Sequence, residues 1–343
     1  GGDAVILSLE QSADAQDLGR VEELIRSAGL RSARSPEPSR PILAVVDPAS
    51  DEVVDALRAD PAVRQVLACR GAWRRVDRAF RVERTVVRVG SARIGGDEPV
   101  VIAGPCSVEG AAMMDESAEI ALRAGADILR GGAFKPRTSP YAFQGLGRMG
   151  LRILKRAGES VGLPVVSEIM DAEQLDAFVE EGIDCLQVGA RNMQNFTLLK
   201  RIAGAGRPVL LKRGLSATVD EWLQAAEYLA AHGAEDVVLC ERGIRTFEKA
   251  TRNTLDLTVL PLLRSWTHLP ILVDPSHASG IAELIPPLSR AAIAAGADGV
   301  AVEAHPRPAE ARSDGAQALL PGELARVVQE ARVLAAVLDP LKC

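Results

Sequence analysis

One stretch of the chain concentrates residue types that bind phosphate. Residues 129–147 read Leu-Arg-Gly-Gly-Ala-Phe-Lys-Pro-Arg-Thr-Ser-Pro-Tyr-Ala-Phe-Gln-Gly-Leu-Gly, with three cations, Arg130, Lys135 and Arg137, among glycines and prolines. Cations, exposed backbone N–H groups and hydroxyl groups all hydrogen-bond to phosphate oxygens, so the loop predicts a site for a phosphorylated substrate. A solvated basic surface loop is the alternative interpretation.

A second group of residues has the types that bind transition metals. Cys106 and His277 each follow an apolar run, Glu303 lies near the end of another run, and Asp314 lies in the loop after it. A thiolate, an imidazole and two carboxylates suit a divalent ion of the Mn, Fe, Co or Zn class better than Mg²⁺ or Ca²⁺. A single cysteine after a strand is usually a small buried hydrophobe. Four such positions together favour a metal site.

Eight apolar runs, each followed by a helical pattern, predict the strands that position these residues. The runs lie at 100–103, 127–130, 165–169, 185–189, 209–213, 237–241, 271–274 and 299–304. Eight βα units in roughly 240 residues predict an α/β fold, the (β/α)8 TIM barrel, with chemistry at the carboxyl ends of its strands. The alternative is an open doubly wound sheet, but the dinucleotide fingerprint GxGxxG is missing after the first run.

Cations recur at the ends of these predicted strands, where charge is either at the rim or bound to a ligand. The cations are Arg130, Lys135, Arg191, Lys212 and Arg242. Facing the metal-binding residues across the barrel mouth, they predict a site for two anionic substrates bridged at a metal. Glu168, at the end of the third run, adds a carboxylate that could hold a water or a proton. Surface ion pairs are the alternative for each charge.

The chain divides into a small and a large unit. The sequence of residues 1–85 predicts the element order βαββαβ, which is typical of small ferredoxin-like (ACT-like) regulatory modules. The sequence of residues 86–98 predicts a linker that contains a hairpin. Residues 99–343 form the predicted barrel. A barrel completes its own core, so the small unit is not needed to bury the barrel strands. We therefore interpret the small unit as a regulatory domain; a structural cap is the alternative.

Composition excludes several classes of function. The 343 residues carry a net charge of −6, and only 3% are aromatic, which argues against a nucleic-acid partner. The five cysteines are odd in number without CxxC spacing, so we expect a reducing, cytoplasmic setting. No apolar run approaches the roughly 18 residues of a membrane span, so no membrane partner is expected.

Six short motifs accompany the stretch 129–147. They are Ala103-Gly-Pro-Cys-Ser-Val-Glu109, Gly189-Ala-Arg-Asn-Met-Gln-Asn195, Leu211-Lys-Arg-Gly214, Cys240-Glu-Arg-Gly-Ile-Arg-Thr-Phe247, Asp274-Pro-Ser-His277 and Ser313-Asp-Gly-Ala-Gln317. Together they resemble the motifs of 3-deoxy-D-arabino-heptulosonate 7-phosphate (DAHP) synthases, type I, beta subgroup. The resemblance spans the predicted barrel and, more loosely, the small unit. It implies that phosphoenolpyruvate, erythrose 4-phosphate and water give the seven-carbon phosphate and inorganic phosphate, the first step of the shikimate pathway.

The resemblance also assigns roles to individual residues. The implied metal ligands are Cys106, His277, Glu303 and Asp314. The implied phosphoenolpyruvate site is Arg130, Lys135, Arg191, Lys212 and Arg242. Erythrose 4-phosphate would lie along Lys135, Pro136, Arg137, Thr138 and Ser139. Lys212 would supply a proton, and Glu168 would position the water.

The partners and alternatives complete the expectation. The implied feedback ligand is tyrosine or phenylalanine, and we expect a homo-oligomer, either a dimer or a tetramer. The sister enzyme that makes 3-deoxy-D-manno-octulosonate 8-phosphate from arabinose 5-phosphate is one alternative, although its loop differs from 135–138. A catalytically dead barrel that regulates another enzyme is the second, and the presence of all nine proposed binding residues speaks against it.

Overall fold

The computed structural model describes residues 4–37, 40–135 and 139–338. The first six elements form a small unit with a four-stranded antiparallel sheet. They are β1 (Val5–Leu9), α1 (Ala15–Ser27), β2 (Ser32–Arg34), β3 (Ile42–Val45), α2 (Asp51–Ala59) and β4 (Val63–Ala68). The sheet order is β2-β3-β1-β4, and the predicted βαββαβ order of elements is confirmed.

Both helices of the small unit pack one apolar side on the sheet. Helix α1 begins with a capping box in which the Asp14 side chain accepts from the backbone N–H of Asp17. Its Val21 and Ile25 are buried, as is Leu57 of α2, and all three join the core formed by the strands. Val21 and Ile25 are four positions apart and therefore lie on the same side of α1, the side that is buried.

A two-stranded hairpin precedes the barrel, with β5 at Val87–Val89 and β6 at Ala92–Ile94. Val87 and Ile94 share one apolar cluster with residues near the starts of the barrel strands, among them Val100 and Leu272. The hairpin therefore closes the amino end of the barrel and leaves the carboxyl end open for chemistry.

The predicted eight parallel strands close into a barrel. The strands are β7 (Val100–Gly104), β8 (Ile128–Arg130), β9 (Val165–Ile169), β10 (Cys185–Val188), β11 (Val209–Lys212), β12 (Val237–Glu241), β13 (Ile271–Val273) and β14 (Gly299–Glu303). The helices are α3 (Ala111–Ala124), α4 (Gly147–Val161), α5 (Leu175–Glu180), α6 (Phe196–Ala203), α7 (Val219–Ala231), α8 (Val259–Trp266), α9 (Pro275–Ser279), α10 (Ile285–Ala294) and α11 (Pro321–Leu338). The closed sheet excludes the open doubly wound alternative.

Closure joins the last strand to the first. Strand β14 pairs with β7 along its whole length, and Glu303 lies opposite Gly104. Gly104 has a φ of 146°, and a Cβ there would lie 2.2 Å from the carbonyl oxygen of Arg130. Glycine thus permits the close approach of β7 and β8. Strands β13, β14, β7 and β8 become consecutive neighbours at the mouth.

Residues 70–85 attach the small unit to the barrel. The Arg84 guanidinium lies 2.7 Å from Asp298 at the amino end of β14, and Glu227 of α7 accepts from the backbone N–H of Val76 at 3.1 Å. His268 bonds to Thr85 and to the backbone of Arg75. No helix in the described part of the chain is both long and apolar enough to cross a membrane.

Candidate active site at the carboxyl end of the barrel

The four predicted metal-binding side chains meet at one point of the mouth. Cys106 follows β7, His277 lies in α9 after β13, Glu303 ends β14, and Asp314 lies in the loop after β14. One ligand atom from each lies within 4.8 Å of all the others. Residues separated by up to about two hundred positions meet because their strands are neighbours in the closed barrel.

The chemistry of this cluster fits a divalent transition ion. It offers one thiol sulfur, one imidazole nitrogen and two carboxylates, with Cys106 and Glu303 buried. Asp314 has a φ of 51°, the one positive φ outside glycine in the described residues. A non-glycine residue in this region is strained, and such strain concentrates at functional sites. The ligand roles themselves stay a prediction.

Buried charges around the cluster compensate one another. Arg130 donates to Glu303 Oε1 at 2.7 Å, and His277 Nε2 lies 3.2 Å from the same oxygen. Burial raises the pKa of Glu303, but His277 and Arg130 outweigh it and hold the pKa at about 2. Burial lowers the pKa of Arg130, yet Glu303 and its other anionic neighbours raise it overall. Both groups are therefore ionised at neutral pH.

Lys135 reaches the cluster from the loop that follows β8. Its Nζ lies 2.9 Å from the carbonyl oxygen and 2.9 Å from the sulfur of Cys106. Burial raises the pKa of the Cys106 thiol to about 12, with Glu303 adding to the effect. The thiol is therefore protonated at neutral pH in the metal-free protein, and a bound cation must displace the proton.

A cavity of about 300 Å³ opens beside the cluster. Its wall contains seven of the residues singled out from sequence, two of which belong to the cluster. They are Lys135, Glu168, Arg191, Lys212, Arg242, His277 and Asp314. Burial lowers the pKa of Arg242, which nevertheless remains a cation at neutral pH because an arginine starts from a value above 12. The arrangement suits a small molecule with several negative charges.

Glu168 enters this cavity because its neighbour has no side chain. A Cβ on Gly189 would lie 1.9 Å from Glu168 Oε1. Gln187 donates to the other carboxylate oxygen at 3.3 Å. The carboxylate is thus held at the wall, where it could bind a water molecule.

Two predicted residues that the structure describes, Arg130 and Ser139, are not part of the cavity wall. Arg130 lies behind the cavity, against Glu303, rather than on its wall. Pro136, Arg137 and Thr138 fall outside the described residues. The hydroxyl group of Ser139 accepts from the backbone N–H of Tyr141 at 3.3 Å, and Ser139 is not part of the described wall of the cavity.

Asp274 is a buried carboxylate of the site to which sequence reasoning gave no role. It accepts from Lys212 Nζ, from His277 Nδ1 at 2.7 Å and from the backbone N–H of His277 at 2.9 Å. Burial raises the pKa of Asp274, but His277 and Lys212 lower it well below its usual value. Its position in the Asp-Pro-Ser-His motif was visible in the sequence, but its contact with Lys212 depends on β11 and β13 flanking one strand.

Arg245, Arg252 and Asn253 were also missed. All three lie on the cavity wall, in the long loop between β12 and α8. Their signal was weak, because arginines in a long loop are ordinarily solvated. Only the path of the loop brings them over the mouth.

Comparison with known proteins agrees with this geometry. The family model described as the DAHP synthetase I family matches residues 80–336, three quarters of the chain. The chain belongs to this family. A phospho-2-dehydro-3-deoxyheptonate aldolase of Thermotoga maritima is 45% identical over 331 residues, which cover 96% of this chain and 98% of that protein.

Solved structures of DAHP synthases are also similar. The crystal structure of the DAHP synthase from Thermotoga maritima matches with a TM-score of 0.77 and 43% identity, over 99% of this chain and 98% of that one. A truncated form of the Thermotoga maritima synthase matches with a TM-score of 0.71 and 48% identity, over 78% and 96% of the two chains. A 2-dehydro-3-deoxyphosphooctonate aldolase of Acidithiobacillus ferrooxidans is 33% identical over 67% of this chain and 88% of that protein.

Proposed function

We propose that this DAHP synthase family member condenses phosphoenolpyruvate with erythrose 4-phosphate and water. The products are 3-deoxy-D-arabino-heptulosonate 7-phosphate and inorganic phosphate, in the first step of the shikimate pathway. One observation carries the proposal: the Cys106, His277, Glu303 and Asp314 cluster adjoins a cavity walled by cations. The 45% identity to the Thermotoga aldolase along nearly the whole chain supports it. The octulosonate relatives match a smaller part of the chain at lower identity.

The cations of the mouth would hold phosphoenolpyruvate. Lys135, Arg191, Lys212 and Arg242 line the cavity and would bind its carboxylate and phosphate oxygens. Arg130 donates one hydrogen bond to Glu303, and its remaining N–H groups would donate to phosphoenolpyruvate. Erythrose 4-phosphate would lie beyond Lys135, along 136–139, with Lys135 between the two substrates.

The reaction then divides between carbon–carbon bond formation and hydrolysis. A divalent ion in the cluster would supply a Lewis acid for the aldehyde. The C3 carbon of phosphoenolpyruvate bonds to the aldehyde carbon, and Lys212 gives a proton to the aldehyde oxygen, which becomes a hydroxyl group. Glu168 takes one proton from the water molecule whose oxygen bonds to C2. The C2–O bond to phosphate then breaks, the new hydroxyl group on C2 becomes the ketone, and its proton leaves with inorganic phosphate; the proton taken by Glu168 balances the one given by Lys212.

The proposed roles of Lys212 and His277 are linked through Asp274. The same Asp274 carboxylate accepts from both side chains. It fixes the ring orientation of a proposed metal ligand and the position of a proposed proton donor together. The proposed proton donor would therefore be held in a fixed position relative to the residues that would hold the ion.

A coupled assay tests the proposed activity. The metal-free protein should be inactive with both substrates, and Mn²⁺ should restore turnover with erythrose 4-phosphate far better than with arabinose 5-phosphate. Cys106→Ala should remain inactive after addition of Mn²⁺, because the soft ligand is lost. Full activity of the metal-free protein or of Cys106→Ala would refute the metal assignment, and a preference for arabinose 5-phosphate would favour the sister reaction.

We also propose that residues 1–85 are a ferredoxin-like (ACT-like) regulatory domain, with 86–98 as linker and hairpin and 99–343 as the catalytic domain. The sheet order β2-β3-β1-β4 with both helices on the sheet supports a ferredoxin-like unit. A cavity of about 280 Å³ adjoins both units; it is walled by residues 34–36, 75, 76, 80 and 81 and, on the barrel side, by the end of α7 and residues at or before the starts of β12 and β13. The proposed feedback ligand is tyrosine or phenylalanine, and the proposed assembly is a homodimer or homotetramer in the cytoplasm.

Deletion of residues 1–85 tests the regulatory proposal. The deletion variant should keep metal-dependent activity and lose inhibition by tyrosine and phenylalanine, since coupling requires a ligand that distinguishes two arrangements. The intact protein is the matched control and should be inhibited by millimolar concentrations of one of the two. If neither amino acid affects the intact protein and the deletion variant aggregates, the small unit is a structural cap.

A further inference from the structure

Gln317 is a buried amide between a proposed metal ligand and a surface arginine. Its Nε2 donates to Glu303 Oε2 at 2.8 Å, and its Oε1 accepts from Arg252 Nη1 at 2.8 Å. The carboxylate can only accept and the guanidinium can only donate, so this is the one amide orientation that satisfies both neighbours. Gln317 is 3% exposed, so both amide hydrogen bonds are shielded from solvent.

The contact with Gln317 completes the restraint on Glu303. The other carboxylate oxygen, Oε1, accepts from Arg130 at 2.7 Å. Donors on both oxygens fix rotation of the carboxylate about its terminal torsion, which is otherwise broad. Gln317 also donates its backbone N–H to the carbonyl oxygen of Asp314 at 3.1 Å. One residue thus contacts two members of the metal-binding cluster.

Arg252 is held by the segment that carries a third member, His277. The backbone N–H of Arg252 donates to Ser279 of α9 at 2.9 Å, and Asn253 Nδ2 donates to the carbonyl oxygen of His277 at 3.1 Å. The Arg252 side chain packs on Gly280: a Cβ added to Gly280 would lie 2.9 Å from the Cβ of Arg252. Arg252 Nη1 also lies 3.5 Å from Asp314 Oδ1.

We infer that Gln317 is a positioning residue that holds Glu303 for the metal, and that Arg252 fixes the amide of Gln317. The pair acts through its contacts with the proposed ligands Glu303 and Asp314, and neither residue is itself a proposed ligand. This inference rests on the proposed metal centre and goes beyond it, because it assigns metal affinity to two residues outside the four ligands. Loss of such an outer contact typically weakens metal affinity about 10- to 100-fold.

Cobalt titration of the full-length, metal-free protein tests the inference without using activity. Four variants are compared with the parent: Gln317→Leu, Arg252→Met, the double variant, and Lys249→Met as the control. Lys249 is an exposed cation of the same loop and is not part of the cavity wall. The visible absorption of bound Co²⁺ gives the dissociation constant, and circular dichroism checks folding.

Gln317→Leu should raise the Co²⁺ dissociation constant about 10- to 100-fold. Arg252→Met should raise it less, the double variant should bind no more weakly than Gln317→Leu, and Lys249→Met should match the parent. The non-additive pattern is the signature of two residues in one chain of contacts.

Each other outcome contradicts a distinct claim. A parent protein that binds no Co²⁺ refutes the proposed metal centre itself. If the parent binds Co²⁺ and the dissociation constant of Gln317→Leu is within about twofold of the parent value, the role of Gln317 is overturned, because loss of an outer contact costs about tenfold or more. Strictly additive effects overturn the role of Arg252. If Gln317→Leu does not fold, the half-exposed Arg252→Met variant decides, and an unchanged constant there overturns the inference.

Discussion

Replacing Glu303 by glutamine removes one negative charge from the interior of the barrel mouth while keeping the shape of the side chain. In the metal-free protein, Glu303 is fully buried and accepts from Arg130 and Gln317. The variant leaves the Arg130 guanidinium buried without its main counter-charge. We therefore expect Glu303→Gln to lower the free energy of unfolding of the metal-free protein.

The size of the loss follows from the pKa of Glu303. Its fall from an ordinary value of 4.5 to about 2 corresponds to about 3 kcal/mol of stabilisation at neutral pH. Removal of one partner from a buried ion pair typically costs about 3–5 kcal/mol, in agreement. Because the folded-state pKa is lowered, the stabilisation is present above pH 4.5 and is lost as the pH falls towards 2. The deficit of the variant should shrink over the same interval.

Urea unfolding followed by tryptophan fluorescence measures this difference. Two of the three tryptophans, Trp222 and Trp266, lie in barrel helices, and Trp73 stacks on Trp266, so the signal reports on the barrel. Glu330→Gln is the matched control. Its carboxylate, 28% exposed, also bonds to arginines, and its loss should cost less than about 1 kcal/mol. A Glu303→Gln deficit at pH 7 no larger than that of the control would refute the reasoning.

Four further outcomes are expected. Lys135→Ala should lower the turnover rate at least about 100-fold in the coupled assay, through lost positioning and charge stabilisation. Arg137→Ala should raise the KM for erythrose 4-phosphate and leave the KM for phosphoenolpyruvate nearly unchanged. Equal effects on both KM values would contradict the proposal that Arg137 binds only erythrose 4-phosphate. Asp274→Asn should lower the turnover rate and also weaken Co²⁺ binding about 10-fold or more, because His277 loses its orienting partner. Metal affinity should rise with pH between 6 and 8 in a cobalt titration, because the Cys106 thiol, whose burial raises its pKa to about 12, must lose its proton.

The sequence alone determined the elements and the types of chemistry. Eight apolar runs with helical patterns between them predict eight strands, because a parallel strand buried on both faces is apolar along its length. Each run lies within one or two residues of a strand in the structure. Cys106, His277, Glu303 and Asp314 could be grouped from sequence, because ring closure makes the seventh, eighth and first strands neighbours. This rule predicts that residues far apart along the chain lie close together at the ends of these strands.

Only the tertiary structure decided which side chains contact one another. The Lys212–Asp274 contact and the Gln317–Arg252 contact each join residues from different βα units. No spacing along the chain encodes these two contacts, because they depend on strand register and on the path of the loop between β12 and α8. Arg130 illustrates the difference: the sequence places it at a strand end, but packing buries it on Glu303 behind the cavity. Local periodicity follows from backbone geometry, whereas these contacts follow from close packing of the whole barrel.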